Sequence, residues 1–182
     1  MRIVFVAFLM CLSNVAVGQN QQADTNRQRL DRRFQAATAE YDAGRFADAV
    51  AHLENLLREV PENFEAHELL GLAYSAEALE AKANPHLEKA VRLKPNSAAA
   101  HTNLAANLAR LNKYDLAEVQ FKKAAELDPF NAALRKRLIV QLIQAKDYGN
   151  AKSQMEDYVQ RFPADTFMRQ LLARVQSMGQ PK

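Results

Sequence analysis

Apolar and small residues recur along this chain at a fixed spacing of 34 residues, which we call the repeat step. One column holds alanine in every unit: Ala49, Ala83, Ala117 and Ala151. Four residues later stands a column of large apolar residues: Leu53, Leu87, Phe121 and Met155. Within each unit the apolar positions are separated by three, four and seven residues, which is the spacing of one helix face. The pattern therefore predicts two amphipathic helices per unit and an all-α helical repeat solenoid.

Proline keeps the same repeat step, at Pro61, Pro95, Pro129 and Pro163. Each proline follows an apolar helical run, where it would clash with a continuing helix and remove a hydrogen bond. Two residues beyond each proline is a residue type that caps helix N-termini: Asn63, Ser97, Asn131 and Asp165. The prolines therefore predict the ends of four units: 30–63, 64–97, 98–131 and 132–165.

The second unit departs from this pattern between its two helices. Ala78 stands where a turn-forming glycine or asparagine would be expected, and Asn84-Pro85 falls where the second helix should already be under way. Asparagine is a good N-cap, and proline is favoured at the first helical position. We therefore expect the second helix of this unit to be shortened and to begin near residue 85.

The repeat resembles the tetratricopeptide repeat family, whose units are 34-residue helix–turn–helix pairs. The stretch 66–96 has the residues of the family pattern at Leu70, Gly71, Tyr74, Ala83, Ala90 and Pro95. The stretch 100–131 has the same pattern with Ala105 in place of glycine and Leu108 in place of tyrosine. The resemblance covers roughly residues 30–165 and implies a right-handed superhelix of helix–turn–helix units.

Residues 1–18 differ from the repeats and predict an export signal. Arg2 precedes an apolar run over 3–12, and small residues at 16–18 provide the site that a signal peptidase requires. The apolar run is shorter than the ~20 residues of a transmembrane helix. We therefore expect cleavage after Gly18, no stable membrane span afterwards, and a periplasmic or secreted protein.

Cleavage after Gly18 would remove Cys11, the only cysteine, so the mature chain could form no disulfide. Attachment of a lipid to Cys11 is a weaker alternative, because no small residue directly precedes it. Residues 19–29 are polar, and we interpret them as a tether. Loss of Arg2 lowers the formal net charge from +3 to about +2, which gives no support for nucleic-acid binding.

Residues 166–182 follow the last full unit and contain one further apolar run with a short tail. The residues expected on its buried side are Phe167, Leu171, Leu172 and Val175. The residues expected on its outer side are Arg169, Gln170, Arg174 and Gln176. A repeat stack needs a terminal helix with a polar outer face, so we predict that this segment caps the stack.

No residue cluster predicts catalysis or a bound cofactor. The stretch 67–71 lacks the second histidine of a zinc-protease motif, and the sequence has no glycine-rich phosphate loop. His52 and His86 are one repeat step apart, as are His67 and His101, so the four histidines lie in two repeat columns. We do not expect them to converge on a metal ion. We therefore predict a protein that is not an enzyme and needs no metal or cofactor.

In tetratricopeptide repeat proteins the first helix of each unit lines a concave groove, and the resemblance implies the same here. Steps of three and four residues along these helices give the candidate partner-binding positions: Glu68, Leu72, Ser75, Thr102, Ala106, Arg110, Lys136, Val140, Ile143 and Gln144. Some family members bind a terminal carboxylate here with Lys, Asn and Arg. Asn103 and Arg137 match two of those positions, whereas Glu68 and Leu72 depart from the pattern.

The groove positions combine an apolar floor with acidic residues in the first half and basic residues in the second. The acidic residues are Asp31, Asp42, Glu65 and Glu68, and the basic ones are Arg110, Lys136 and Arg137. We therefore expect a scaffold or adaptor that holds a protein or peptide with an apolar stripe and an acidic end. Packing between units is the alternative role for the apolar positions.

A different function would also fit a repeat stack of this kind. The chain could be a structural subunit of a cell-envelope assembly that self-associates through its repeat ends or its convex surface. Concentration-dependent oligomers without a peptide ligand would distinguish this hypothesis. The sequence leaves the oligomeric state and the identity of the partner open.

Overall fold

The computed structural model describes residues 25–178, and within this range all regular secondary structure is helical. The chain divides into two compact groups, the first extending to Pro61 and the second beginning at Glu62. The first group contains α1 (25–42) and α2 (Phe46–Glu59). The second contains α3 (Phe64–Ala76), α4 (Glu80–Leu93), α5 (Ala98–Arg110), α6 (Tyr114–Leu127), α7 (Ala132–Gln144), α8 (Tyr148–Arg161) and α9 (Thr166–Met178).

Two sequence expectations concern the N-terminal segments. The signal at 1–18 and the tether at 19–24 lie outside the described residues. Residues 25–29, which we assigned to the tether, belong to α1. Within the described range, no helix has both the length and the apolar character needed to cross a membrane.

The helices of the second group follow one another as packed neighbours, from α3 through to α9. The predicted N-caps are confirmed at the starts of α3, α5, α7 and α9. At each, the side chain accepts a hydrogen bond from the backbone N–H three residues later, at 2.7–3.2 Å. The capping residues are Asn63, Ser97, Asn131 and Asp165. Each one satisfies a backbone donor that lacks a partner inside the helix.

The turn inside each helix pair is closed by a residue with a left-handed backbone. These residues are Gly44, Ala78, Asn112 and Lys146, with φ between 57° and 74°. Each is one repeat step from the next, so they form another repeat column. Glycine and asparagine adopt this conformation easily, whereas alanine and lysine do so at a steric cost.

The expectation of a late second helix in the second unit was wrong. α4 begins at Glu80, and Pro85 lies inside it. Ala78 adopts the left-handed turn despite its Cβ, so the turn closes at the usual position. Pro85 removes only the hydrogen bond to the carbonyl of Ala81, and both residues are exposed, so water can solvate that carbonyl. Burial of the alanine and leucine columns of α4 outweighs this local cost.

The predicted apolar columns form the core. The alanine column is buried in both groups, at Ala49, Ala83, Ala117 and Ala151. Gly71 is also buried, and a Cβ at this position would lie 2.6 Å from Cγ and Cδ2 of Leu87. This glycine therefore allows α3 and α4 to approach closely. In the first group Ala37 is buried whereas Ala36, which we placed in a core column, is exposed.

The terminal helix α9 packs against α8, and three of the four residues expected on its buried side, Leu171, Leu172 and Val175, contribute to that packing. Met168 and Leu172 are buried, in a cluster with Ile139, Met155 and Tyr158. Phe167, which we expected on the buried side, is 68% exposed. The reason is the repeat phase, because Met168 and Leu172 lie one repeat step after the buried Leu134 and Leu138. α9 thus continues the stack as the first helix of a further unit.

Candidate functional site

The candidate groove positions lie on α3, α5 and α7, and we call this surface the first-helix face. Arg110, Val140, Ile143 and Gln144 are exposed. Half-buried positions are Glu68, Leu72, Ser75, Ala106 and Lys136. Thr102 departs from the expectation, since it is only 4% exposed and its hydroxyl donates a 2.7 Å hydrogen bond to the Ala98 carbonyl. Thr102 therefore contributes to its own helix and offers little surface to a partner.

The acidic end of the face is partly neutralised by neighbouring side chains. Lys94 lies 2.6 Å from Glu65, and its hydrogen bond lowers the pKa of that carboxyl. Asn103 donates a 3.1 Å hydrogen bond to Glu68. Burial nevertheless raises the pKa of Glu68, with the Asn103 hydrogen bond opposing it. Asn103 is thus committed to Glu68, which, like the departures from the family pattern at Glu68 and Leu72, disfavours a clamp for a terminal carboxylate on this surface.

Ser75 and Arg110 join adjacent helix pairs. Arg110 donates a 2.7 Å hydrogen bond from Nη1 to the Ser75 carbonyl. The Ser75 hydroxyl donates at 2.9 Å to Oδ1 of Asn107, and Asn107 donates from Nδ2 at 3.1 Å to the Glu80 carbonyl. Asn107 is buried, and no sequence signal marked it. These residues connect α5 with α3 and α4, so their role is structural at least in part.

The charge of Lys136 is compensated within the second group. Its Nζ lies 2.7 Å from Oδ2 of Asp165, which also accepts a 2.8 Å hydrogen bond from the Tyr158 hydroxyl. The hydrogen bond from Lys136, with those from Met168 and Tyr158, lowers the pKa of Asp165 to about 2. Arg137 is different, since it makes no hydrogen bond or ion pair with any residue in 25–178.

Arg137 lines a depression of ≈ 340 Å³ between the N-terminal halves of α5 and α7. Ala99 and Ala133 provide small walls, and their size leaves room for a partner's side chain. Asp128 also lines the depression, but its carboxylate accepts a 3.0 Å hydrogen bond from Asn131. The depression therefore presents the unpaired guanidinium of Arg137 beside apolar surface.

Three large apolar side chains are exposed on this side of the second group. Val140 is 52% exposed and Ile143 is 41% exposed, one turn apart on α7. Phe167, at the start of α9, occupies the repeat position that Glu65, Ala99 and Ala133 occupy on the earlier first helices. Phe167 was not among the groove positions predicted from the sequence, although the repeat step alone would have identified it.

The histidines are less separate than we expected. His67 and His86 approach to 3.1 Å between their Nδ1 atoms, although they belong to different repeat columns. At the equivalent positions one unit later, His101 Nδ1 lies 2.7 Å from Oε1 of Gln120. No group of three or more His, Cys, Asp or Glu residues in the described range is arranged to hold a metal ion.

Comparison with known proteins identifies the class. The sequence model of the tetratricopeptide repeat family matches residues 34–98 and 81–132, which together exceed half of the chain. The chain belongs to the tetratricopeptide repeat family, as its residues suggested. Members of this family are typically non-catalytic scaffolds for protein interaction. A comparison with curated protein sequences found no match.

Solved structures of other repeat proteins share the fold. MamA from Desulfovibrio magneticus RS-1 superposes with a TM-score of 0.70 at 20% identity, covering 75% of this chain and 77% of MamA. TTC0263 from Thermus thermophilus gives 0.61 at 21% identity, covering 79% of each chain. YrrB, described as a tetratricopeptide repeat protein with an unusual peptide-binding site, gives 0.68 at 22% identity, covering 78% of this chain and 73% of YrrB.

Proposed function

We propose that this protein is a non-enzymatic scaffold that binds a segment of another protein over the α7 part of its first-helix face and the adjoining start of α9. The main observation in support of this proposal is the exposure of the apolar side chains of Val140 and Ile143. They lie on the opposite side of α7 from the buried Leu138 and Leu142, so core packing does not explain them. Ala106, in contrast, packs against the buried cluster and contributes less to a binding surface.

The charges of the second group refine the expected partner. Lys136 and Glu65 are already paired, so neither is an unpartnered charge for a ligand. Arg137 is unpaired and lines the depression beside the apolar residues. The segment that fits is therefore extended or helical, with apolar side chains on Val140 and Ile143 and one acidic group near Arg137. The peptide-binding site described for YrrB supports the general mode, not this partner.

A peptide library selected on immobilised mature chain would test the proposal. Val140→Asp with Ile143→Asp should weaken the selected peptides at least tenfold, because each change places a carboxylate in the apolar contact. The matched control is Leu116→Asp with Val119→Asp on α6, where the two side chains are similarly exposed, at 54% and 59%. Equal binding by both double variants would refute the site.

The charge component has its own test. Arg137→Glu should weaken a selected peptide that carries Asp or Glu, and replacement of that acidic residue by Lys should restore affinity. A double-mutant cycle of this kind isolates the pair from other effects. If the Lys-containing peptide did not regain affinity for the Arg137→Glu variant, the acidic residue would not bind at Arg137. The proposed contact with Val140 and Ile143 would be unaffected by that result.

Leu116 and Val119 favour a second candidate function. They form a small exposed apolar patch on α6, the second helix of its pair. A structural subunit that self-associates through this surface would show concentration-dependent oligomers in light scattering. Leu116→Asp with Val119→Asp would abolish these oligomers and leave peptide binding intact.

We also propose that the protein acts outside the cytoplasm, in the periplasm or after secretion. The basic residue, apolar run and small residues within the segment 1–18 support this proposal. Mass spectrometry of the protein from its native host should give a chain that begins at Gln19. A chain that retains the segment 1–18 would contradict cleavage.

A further inference from the structure

His67 on α3 and His86 on α4 form a pair of imidazoles. Their Nδ1 atoms are 3.1 Å apart, and their ring centroids are 5.3 Å apart. These distances place the rings nearly end to end, so that one Nδ1–H donates a hydrogen bond to the other Nδ1. Both side chains are half-buried, so part of each is open to solvent.

The same joint is built differently in each of the following helix pairs. One unit later, His101 faces Gln120, so an amide replaces the second imidazole. Two units later the residue is Arg135, which pairs with Asp157 on α8. The joint thus accommodates polar partners other than two imidazoles. Among these three helix pairs, only α3–α4 brings two imidazoles together.

We propose that His67 and His86 bind a divalent transition-metal ion of the Cu²⁺, Ni²⁺ or Zn²⁺ class through both Nδ1 atoms. With metal–nitrogen bonds of about 2.0–2.1 Å, a separation of 3.1 Å between the donors corresponds to a nitrogen–metal–nitrogen angle of about 98°. This angle lies between the square-planar and tetrahedral values. Imidazole nitrogen is a preferred ligand for all three ions, and Cu²⁺ binds most strongly in this series.

When the metal binds, it takes the place of the hydrogen bond between the two Nδ1 atoms. The ring that donates from Nδ1 becomes the Nε2–H tautomer, so both rings stay neutral and each presents an Nδ1 lone pair to the metal. Each ring must tilt to aim that lone pair at the ion, because the hydrogen-bonded arrangement points the two Nδ1 atoms at each other. Water molecules complete the coordination, since the two histidines supply only two donors.

The metal would join α3 to α4 across their shared surface. Tyr74 of α3 stacks against His86 with ring centroids 5.9 Å apart and adds a second contact between the two helices. Two ligands on two packed helices bind only when the helices are folded together. Binding therefore raises the stability of the folded protein by mass action.

Isothermal titration with CuSO₄ and ZnCl₂ on the mature chain without a histidine tag tests the site. His86→Gln is the informative variant, because it reproduces the His101–Gln120 arrangement and so keeps a polar partner for His67. His52→Gln is the control, since it removes a histidine that lies on a different helix pair, 2.7 Å from Glu40. Melting temperatures with and without metal are measured for all three proteins.

The expected result is one Cu²⁺ per chain for the wild type and the His52→Gln variant, with a raised melting temperature. For His86→Gln we expect at least a tenfold weaker affinity and no rise in melting temperature. Equal binding by His86→Gln and wild type would overturn the proposal. No Cu²⁺ or Zn²⁺ binding by the wild type would also overturn it and leave a hydrogen-bonded pair only.

Discussion

Lys136 and Asp165 form a 2.7 Å ion pair that links α7 to the capping residue of α9. Asp165 also caps α9 through a 3.0 Å hydrogen bond from the Met168 backbone and accepts one from the Tyr158 hydroxyl. One carboxylate therefore satisfies a helix terminus, a buried tyrosine and a lysine. Because all three interactions favour the ionised form, the pKa of Asp165 falls to about 2.

This low pKa predicts a loss of stability in acid. The pKa of Asp165 is lower in the folded than in the unfolded chain, where it is about 3.9. Its contribution is therefore complete above about pH 5 and is lost as the pH falls through 4 towards 2. Asp165→Asn should be less stable than wild type at pH 7, with the difference shrinking towards pH 2. Urea unfolding at pH 7, 4 and 2.5 measures it, and a difference independent of pH would contradict this role.

Glu68 should show the opposite dependence. Burial raises its pKa, so its ionisation at neutral pH costs stability that is regained when the carboxyl is protonated. Glu68→Gln keeps an acceptor for Asn103 and removes the charge. We expect this variant to be more stable than wild type at pH 7 and equal to it below about pH 4. A variant that is less stable at pH 7 would show that the charge is needed.

Replacing Ala78 by glycine should stabilise the folded protein. A left-handed conformation costs an alanine about 1–2 kcal/mol, whereas glycine costs about 0.5–1 kcal/mol in unfolded-chain entropy. Ala78→Gly should therefore raise the free energy of unfolding by about 0.5–1 kcal/mol. Ala173→Gly is the control, because Ala173 is exposed inside α9 and should lose about 0.5–1 kcal/mol. Stabilisation by both substitutions would exclude this explanation.

Gly71 should not tolerate a side chain. An alanine Cβ would lie 2.6 Å from Leu87, and such overpacking costs about 1–3 kcal/mol. The better helix propensity of alanine offsets at most about 1 kcal/mol. Gly71→Ala should therefore destabilise the protein, and its effect in urea unfolding should be smaller when Leu87 is replaced by Ala. Strictly additive effects of the two changes would mean that the contact is not limiting.

The sequence predicted most of the fold because the fold is periodic. The repeat step alone predicts the helix pairs, the N-caps and the buried columns. It failed at α4, since the proline and asparagine signals are local, whereas the start of α4 depends on tertiary burial of Ala83, Leu87 and Ala90. For α4 to begin at Glu80, Ala78 must adopt the unfavourable left-handed backbone conformation.

The candidate site was only partly predictable from the sequence. The exposed apolar positions could be predicted, whereas the pairing of the charged side chains could not. The outward position of Val140 and Ile143 follows from helix geometry and was predicted. The pairing of Lys136 with Asp165 and of Glu65 with Lys94 was not, because each pair joins two different repeat columns within one unit. Side-chain conformation decides which charges stay available, and of the three basic groove residues it leaves Arg137 without an ion pair or hydrogen bond to any residue in 25–178.

Met168 and Phe167 are adjacent on α9 and should respond in opposite ways to truncation. Met168 is buried against α8, so Met168→Ala should lower the free energy of unfolding by about 2–5 kcal/mol. Phe167 is exposed, so Phe167→Ala should change it by less than about 0.5 kcal/mol. Because the proposed binding surface includes the start of α9, Phe167→Ala should instead weaken peptide binding. Urea unfolding and peptide titration of both variants separate the two roles, and a large stability loss from Phe167→Ala would show that this ring belongs to the core.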